Sequence, residues 1–199
     1  MQPPHPDTLE DVLASVWHAL ARGASDRRHA FNTPTLVTTD VDGCADARTV
    51  VLRSCLAGRR ELVCHTDVRS PKVAQINAHP IVLWHLYDYK SRVQLRVRAN
   101  ACVISADDDP VVRETWERTS AGSRVSYRGP VPPGSRADAP IANTPDEEPA
   151  HADDGLEHFR VVRTVVSRIE WLRLHQGGHR RALFEWSDVG RERSTWLAP

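Results

Sequence analysis

Thr35-Leu36-Val37-Thr38-Thr39, Asp40-Val41-Asp42-Gly43 and Ala47-Arg48-Thr49-Val50-Val51-Leu52-Arg53 follow one another near the start of the chain and carry its clearest strand signal. The first and last pieces are rich in β-branched residues, and the middle piece is polar with a glycine, so the three read as a hairpin. A second turn at Ala57-Gly58-Arg59-Arg60 leads into another strand-like run, Glu61-Leu62-Val63-Cys64-His65-Thr66. Further along, Ile81 to Tyr87 is mostly apolar and is expected to be buried on both sides. Arg92 to Ile104 alternates, with Val93, Leu95 and Val97 on one face and Gln94, Arg96 and Arg98 on the other. His158 to Leu174 and Arg180 to Trp186 complete the strand-like set. Strands joined by tight turns, with few helices between them, predict a mainly β (α+β) fold: an antiparallel barrel with peripheral helices.

The helices that the pattern does allow are short. Asp7 or Thr8 can cap a first one, whose apolar face runs through Leu9, Val12, Leu13, Val16, Trp17 and Leu20 and which Gly23 is expected to end. Ser70-Pro71-Lys72 starts a second, and Asp107-Asp108-Asp109-Pro110 opens a third that runs past Trp116. Between Gly129 and Gly155 there are six prolines, several acidic residues and few large apolar ones, so this segment reads as a long loop or arm. The 199 residues are therefore expected to form a single domain over 1–199 with a Pro-rich acidic loop at about 129–155.

The 26 basic residues balance the 26 acidic ones, which argues against binding nucleic acid or an anionic membrane by bulk charge. Any anion must be held locally. No run approaches the roughly 18 apolar residues of a membrane span, and the first residues do not pattern as a signal peptide, so a cytoplasmic protein is expected. Cys44, Cys55, Cys64 and Cys102 form no C-x-x-C pair and are expected to be buried free thiols. The ten histidines show no metal-ligand spacing, so no metal site is expected.

Ser70-Pro71-Lys72 carries the strongest chemical signal. Free backbone N–H groups, the positive end of a helix dipole, a hydroxyl and an ammonium within one turn make a phosphate site. The alternative is a plain capped helix with a solvated lysine. Only two of the basic residues are lysines, Lys72 and Lys90. Strict alternation along the strand sends Arg48 and Arg53 to opposite faces, so they are not expected to grip one group unless a bulge intervenes. Gln94 could read the edge of a heterocycle or could simply be a surface glutamine. His65 and His175 titrate in the range useful for proton transfer, yet no side chain stands out as a catalytic base.

The order of these motifs resembles that of the pyridoxamine 5′-phosphate oxidase family and its flavin-binding relatives. The family strand Arg-x-Val-Leu-Leu-Lys is similar to Arg48–Arg53, its Tyr-Thr strand end to His65-Thr66, its Ser-Arg-Lys helix start to Ser70-Pro71-Lys72, and its Asn-Pro to His79-Pro80. The spacing from there to a glutamine on the next strand matches Gln94, and a C-terminal Trp-Gln-Gly is similar to His175-Gln176-Gly177. The resemblance implies an FMN-binding split β-barrel that forms a homodimer with FMN at the subunit interface and acts on a small-molecule substrate. Cofactor contacts would run through Arg48, Thr49, Val50, Val51, Leu52, Arg53, His65, Thr66, Ser70, Lys72, Gln94 and His175. Arg53, Arg124 and Arg180 would meet the substrate.

Departures from the family pattern fall mostly on the substrate side. Arg53 stands where the family has a lysine, Pro71 where it has an arginine, His175 where it has tryptophan, and Arg180-Arg181-Ala182 where it has Arg-Leu-His. The segment from Trp116 to Arg124, followed by Tyr127, looks like that of a divergent subgroup. The implied activity is hydride transfer from a small substrate to FMN with oxygen as acceptor. The alternatives are a flavin-binding protein without oxidase activity, or an NAD(P)H-dependent flavin reductase on the same barrel.

Overall fold

The computed structural model describes residues 8–145, 149, 151–187 and 192–199. Among them, nine antiparallel strands form one sheet: β1 (Thr35–Thr39), β2 (Ala45–Thr49), β3 (Ser54–Leu56), β4 (Glu61–Asp67), β5 (Ile81–Asp88), β6 (Val93–Ile104), β7 (Phe159–Arg173), β8 (Arg180–Trp186) and β9 (Glu192–Leu197). The helices are α1 (Leu9–Ser25), α2 (Pro71–Ala78), α3 (Pro110–Arg118) and the one-turn α4 (Ala121–Arg124). This is a split β-barrel of antiparallel strands with peripheral helices.

Two features make it a barrel, and both depend on the third dimension. The first is that β2 and β3, consecutive in the chain, lie at opposite ends of the strand order β2-β1-β5-β6-β7-β4-β3. The strand expected from Ala47 to Arg53 therefore stops at Thr49, and the next residues cross from one sheet edge to the other. Val50 and Leu52 donate backbone N–H bonds to Pro34 and Asn32, while Arg53 donates to Val63 on β4. The second is β7, which pairs with β6 along its length but divides its other edge. Residues 159–165 face β4 and residues 168–173 face β8. A register shift at Arg98/Ala99, opposite Arg168 and Val166, marks the place where β7 changes partner.

The interior holds Leu36, Leu62, Cys64, Trp84, Leu95, Val97, Ile169 and Phe184, and α1 adds Val12, Val16 and Leu20. The α1 helix is capped by Thr8, whose hydroxyl accepts from the Asp11 N–H; Asp7 lies outside the described residues. Gly23 does not end this helix. It is buried inside it because a Cβ there would stand 2.8 Å from Phe31 Cβ. The β5 strand is buried on one side only, with Val82, Trp84 and Leu86 inside and Ile81 and Tyr87 exposed. Of the four free cysteines only Cys64 is fully buried, while Cys44 and Cys102 are exposed, against the expectation of buried thiols. No described helix is long and apolar enough to cross a membrane.

Candidate functional site

The β4 strand ends at Asp67, and three residues later α2 begins with Ser70 as its cap by backbone position and Pro71 at its first helical position. Ser70 makes no side-chain capping bond. Its Oγ instead accepts from Lys72 Nζ at 2.6 Å, and Lys72 Nζ also donates to Thr66 Oγ1 at 3.0 Å. Thr66 and Ser70 are buried and Lys72 is half-buried. Burial pulls the Lys72 pKa below the usual lysine range, with Arg48 adding to the shift. Both hydrogen bonds of this ammonium go to neutral hydroxyls. A half-buried cation on two hydroxyls at a helix N-terminus fits a phosphate group.

Arg48 approaches the same place from β2. Its guanidinium donates to Thr38 Oγ1 and to Gln75 Oε1 on α2, and pairs with Asp46 at 2.5 Å. Gln75 Nε2 donates to Asp46 Oδ2, which, ahead of Arg48, holds the Asp46 carboxyl below its usual range. The strand ends at Thr49, short of Arg53, yet the two arginines do part: Arg48 meets Thr38 and Gln75, and Arg53 lines a cavity on the other face of β4. Lys72, Arg53 and Arg48 all lie within electrostatic reach of the Cys64 thiol, although burial dominates there and pushes that thiol up to about 12. Arg48 acts directly on Lys72, whereas Arg53 lines the cavity on the other face of β4.

The other face of β4 looks outward. His65 packs edge-on against Phe159 at 4.9 Å, and its Nδ1 is buried without a hydrogen-bond partner. Burial first, and Arg53 second, push its pKa down to about 4, so the imidazole is neutral at pH 7. His65 and Arg53 line a cavity of about 570 Å³ between β4 and α3, whose wall includes Val63, Val161, Thr115, Thr119 and Ser123. Five arginines, Arg27, Arg53, Arg59, Arg118 and Arg163, and two acids, Glu61 and Asp109, line it as well. Such a space suits a small anion with an apolar body.

The remaining expected residues divide into two groups. Val50 and Leu52 are buried in the crossover and Val51 is half-buried, while Thr49 is exposed on the edge strand β2. Gln94 and His175 lie elsewhere: Thr66 is opposite Arg160 on β7, whereas Gln94 is opposite Leu172. Twelve residues of β7 separate those positions, about 40 Å at the rise of an extended strand. His175 sits in the β7–β8 turn, where its Nδ1 accepts from the Gly177 N–H. The three arginines expected at substrate are not brought together. Arg53 faces the cavity, Arg180 lines a recess beside Trp196, and Arg124 donates to the Glu117 and Thr119 carbonyls over the Trp116 ring.

Sequence reasoning missed the supports of Arg48, namely Thr38, Asp46 and Gln75, because only the packing of α2 against β1 brings them together. It also missed Glu170, although alternation along β7 places that residue beside Arg168 on the polar face.

Residues 14–105, which run from α1 through β6 and include Arg48, Lys72 and Gln94, match the family model described as "Pyridoxamine 5'-phosphate oxidase, FMN-binding domain". Over that range the chain is similar to an FMN-binding domain of the pyridoxamine 5′-phosphate oxidase family. Outside that range the likeness continues. A pyridoxine/pyridoxamine 5′-phosphate oxidase of Xanthomonas euvesicatoria is 28% identical over 165 residues, covering 78% of this chain and 81% of its own. A crystal structure of a pyridoxamine 5′-phosphate oxidase-related, FMN-binding protein from Nostoc punctiforme superposes with a TM-score of 0.79 at 25% identity, covering 94% of this chain and 96% of that one. PhzG from Burkholderia lata, solved with tetrahydrophenazine-1-carboxylic acid, shares the fold at a TM-score of 0.63 and 17% identity, covering 96% and 90%.

Proposed function

We infer that the protein is an FMN-dependent oxidoreductase in which Lys72, Ser70 and Thr66 hold the cofactor phosphate. The observation that carries this reading is the Lys72 ammonium, half-buried, lowered in pKa by burial, and hydrogen-bonded to two neutral hydroxyls. Such a group is costly unless an anion completes its shell. Arg48, fixed by Asp46 and Gln75, adds positive charge beside it. Val50, Val51 and Thr66 would flank the ribityl chain and ring, and Gln94 would meet the polar edge of the ring.

One chain spreads these residues over both ends of β7, farther apart than a mononucleotide reaches. The reading therefore includes a homodimer, with the Lys72 end of one subunit against the Gln94 end of the other. Bound FMN supplies hydride-acceptor chemistry, and oxygen is the proposed final acceptor. In the arginine-rich cavity, Arg53 would hold the negative charge of a small substrate and orient it.

The visible spectrum of the purified protein, with identification of the cofactor released on denaturation, tests the binding claim. A colourless protein that leaves added FMN fluorescence unquenched would sink it. Hydrogen peroxide release with pyridoxamine or pyridoxine 5′-phosphate tests the oxidase assignment. Bound FMN without peroxide points to a flavin-binding protein, and anaerobic bleaching by NADPH points to a reductase. Light scattering that gives the monomer mass would refute the dimer.

A further inference from the structure

Glu170 is buried on the outer face of the sheet, and its Oε1 accepts from Arg96 Nη1 at 3.0 Å and from Arg181 Nε and Nη2 at 3.1 and 2.7 Å. Arg168 approaches the other carboxylate oxygen at 3.7 Å and is itself paired with Glu185 at 3.6 Å. Three guanidiniums thus share two carboxylates, so the cluster keeps a net positive charge. Its members cannot swing freely. One nearly inaccessible carboxylate takes three hydrogen bonds from two arginines, whose own side chains remain partly open to solvent.

The cluster's position in the sheet gives it a use. Gln94, Leu172 and Arg181 lie opposite one another on β6, β7 and β8, and Arg96 with Glu170 forms the next pair two residues along the same face. Arg181 is therefore two strand spacings from Gln94, about 10 Å, and Arg96 is two residues away, about 7 Å; both are within reach of an arginine side chain. We propose that Arg96 and Arg181, positioned by Glu170, form a cationic wall at the polar edge of the flavin that favours its reduced, anionic form. This rests on the reading that Gln94 meets that edge.

The physical reason is a difference between two redox states. Oxidised FMN has a neutral ring. Adding two electrons and one proton, supplied together by the substrate as hydride or, in the test, as electrons from dithionite and a proton from water, leaves a ring with one negative charge on its pyrimidine side. A fixed positive charge there binds the product state more tightly than the starting state and so raises the potential. The phosphate at the far end of the cofactor carries the same charge in both states, so Lys72 contributes to affinity without this bias.

The test is the midpoint potential of FMN bound to the full-length protein, measured by dithionite titration against a reference dye, with the affinity for oxidised FMN measured in parallel. Arg96→Gln and Arg181→Gln are each expected to lower the preference for reduced over oxidised FMN about tenfold, which is about 30 mV downward for a two-electron couple. Their affinity for oxidised FMN should change less than about threefold. Glu170→Gln keeps an acceptor for the arginines while removing a negative charge, so its potential should move upward.

Opposite signs at Glu170 and Arg181 are what charge produces; loosened packing would move both the same way. The inference is overturned if both arginine variants change the preference by less than twofold, or if Glu170→Gln leaves the potential unchanged or lowers it. Lys72→Ala serves as the control for the underlying reading. If the wild-type protein binds FMN and Lys72→Ala weakens that binding while the potentials stay fixed, only the cationic wall falls. If the wild type binds no FMN, both fall.

Discussion

Lys72 Nζ donates to Ser70 Oγ at 2.6 Å, so the serine that caps α2 by position is turned from the helix N–H groups toward the ammonium. A capping bond is typically worth about 1 kcal/mol to a helix. Forgoing it to stabilise a half-buried cation is the pattern of a binding site and runs against local stability.

Lys72→Ala removes a charge-assisted contact and is expected to weaken FMN binding by about 1.5–3 kcal/mol, roughly tenfold to a hundredfold. Burial disfavours the lysine's charged form in the free protein. Lys72→Met should therefore leave the melting temperature of the FMN-free protein unchanged or higher while affinity falls. Fluorescence quenching and calorimetry measure the two quantities, and a loss of both would make Lys72 a structural residue.

His65 makes stability depend on acid. Its pKa is about 4 in the fold, against 6.5 for a free imidazole, so between those values the unfolded chain takes up a proton that the folded one refuses. The stability contribution is therefore intact above about pH 6.5 and declines as pH falls toward 4, by at most about 2–3 kcal/mol. Urea denaturation of wild type and His65→Phe from pH 4 to 7 should show a shallower slope for the variant.

Arg69 ties the connection between β4 and α2 to the segment at Gly129. It pairs with buried Asp67 through Nε at 3.0 Å and Nη2 at 2.7 Å, and donates through Nη1 to the Gly129 carbonyl at 2.9 Å. Arg69→Ala leaves a buried carboxylate unpaired and should cost about 3 kcal/mol or more. The segment after Gly129 loses its anchor, so limited proteolysis should cut faster between Gly129 and Asn143 than in wild type.

Gly23→Ala sets two effects against each other. Alanine is favoured over glycine inside a helix by about 1 kcal/mol. The added Cβ would meet Phe31 Cβ at 2.8 Å and the Phe31 backbone carbonyl at 3.0 Å, and overlap with backbone has little room to relax. Overlap should prevail, with a net loss of about 1–2 kcal/mol in chemical denaturation.

Local chemistry made much of this protein legible. Ser70-Pro71-Lys72 reads as a helix start because proline geometry and cap position act within one turn, and α2 begins at Pro71. The alternation of β6 is likewise visible, since each residue's face follows from the pleat; Leu95, Val97 and Ala99 are buried and Arg96 and Arg98 exposed. Where distant neighbours intervene, the signal fails. Gly23 looks like a helix stop until Phe31 is seen against it, and Ala47 to Arg53 looks like one strand until the sheet edges are known.

The type of most elements, the antiparallel class and the helix start at Pro71 are readable in the amino-acid order, because they follow from periodicity and from contacts a few residues apart. Which charges meet depends on the packing of distant strands and helices. Arg48 meets Gln75 beside Lys72 because α2 packs against β1, and Arg96, Glu170 and Arg181 meet because β7 changes partner partway along its length. Both are matters of packing and register. The burial of the whole sheet fixes those, and no local window of sequence contains them.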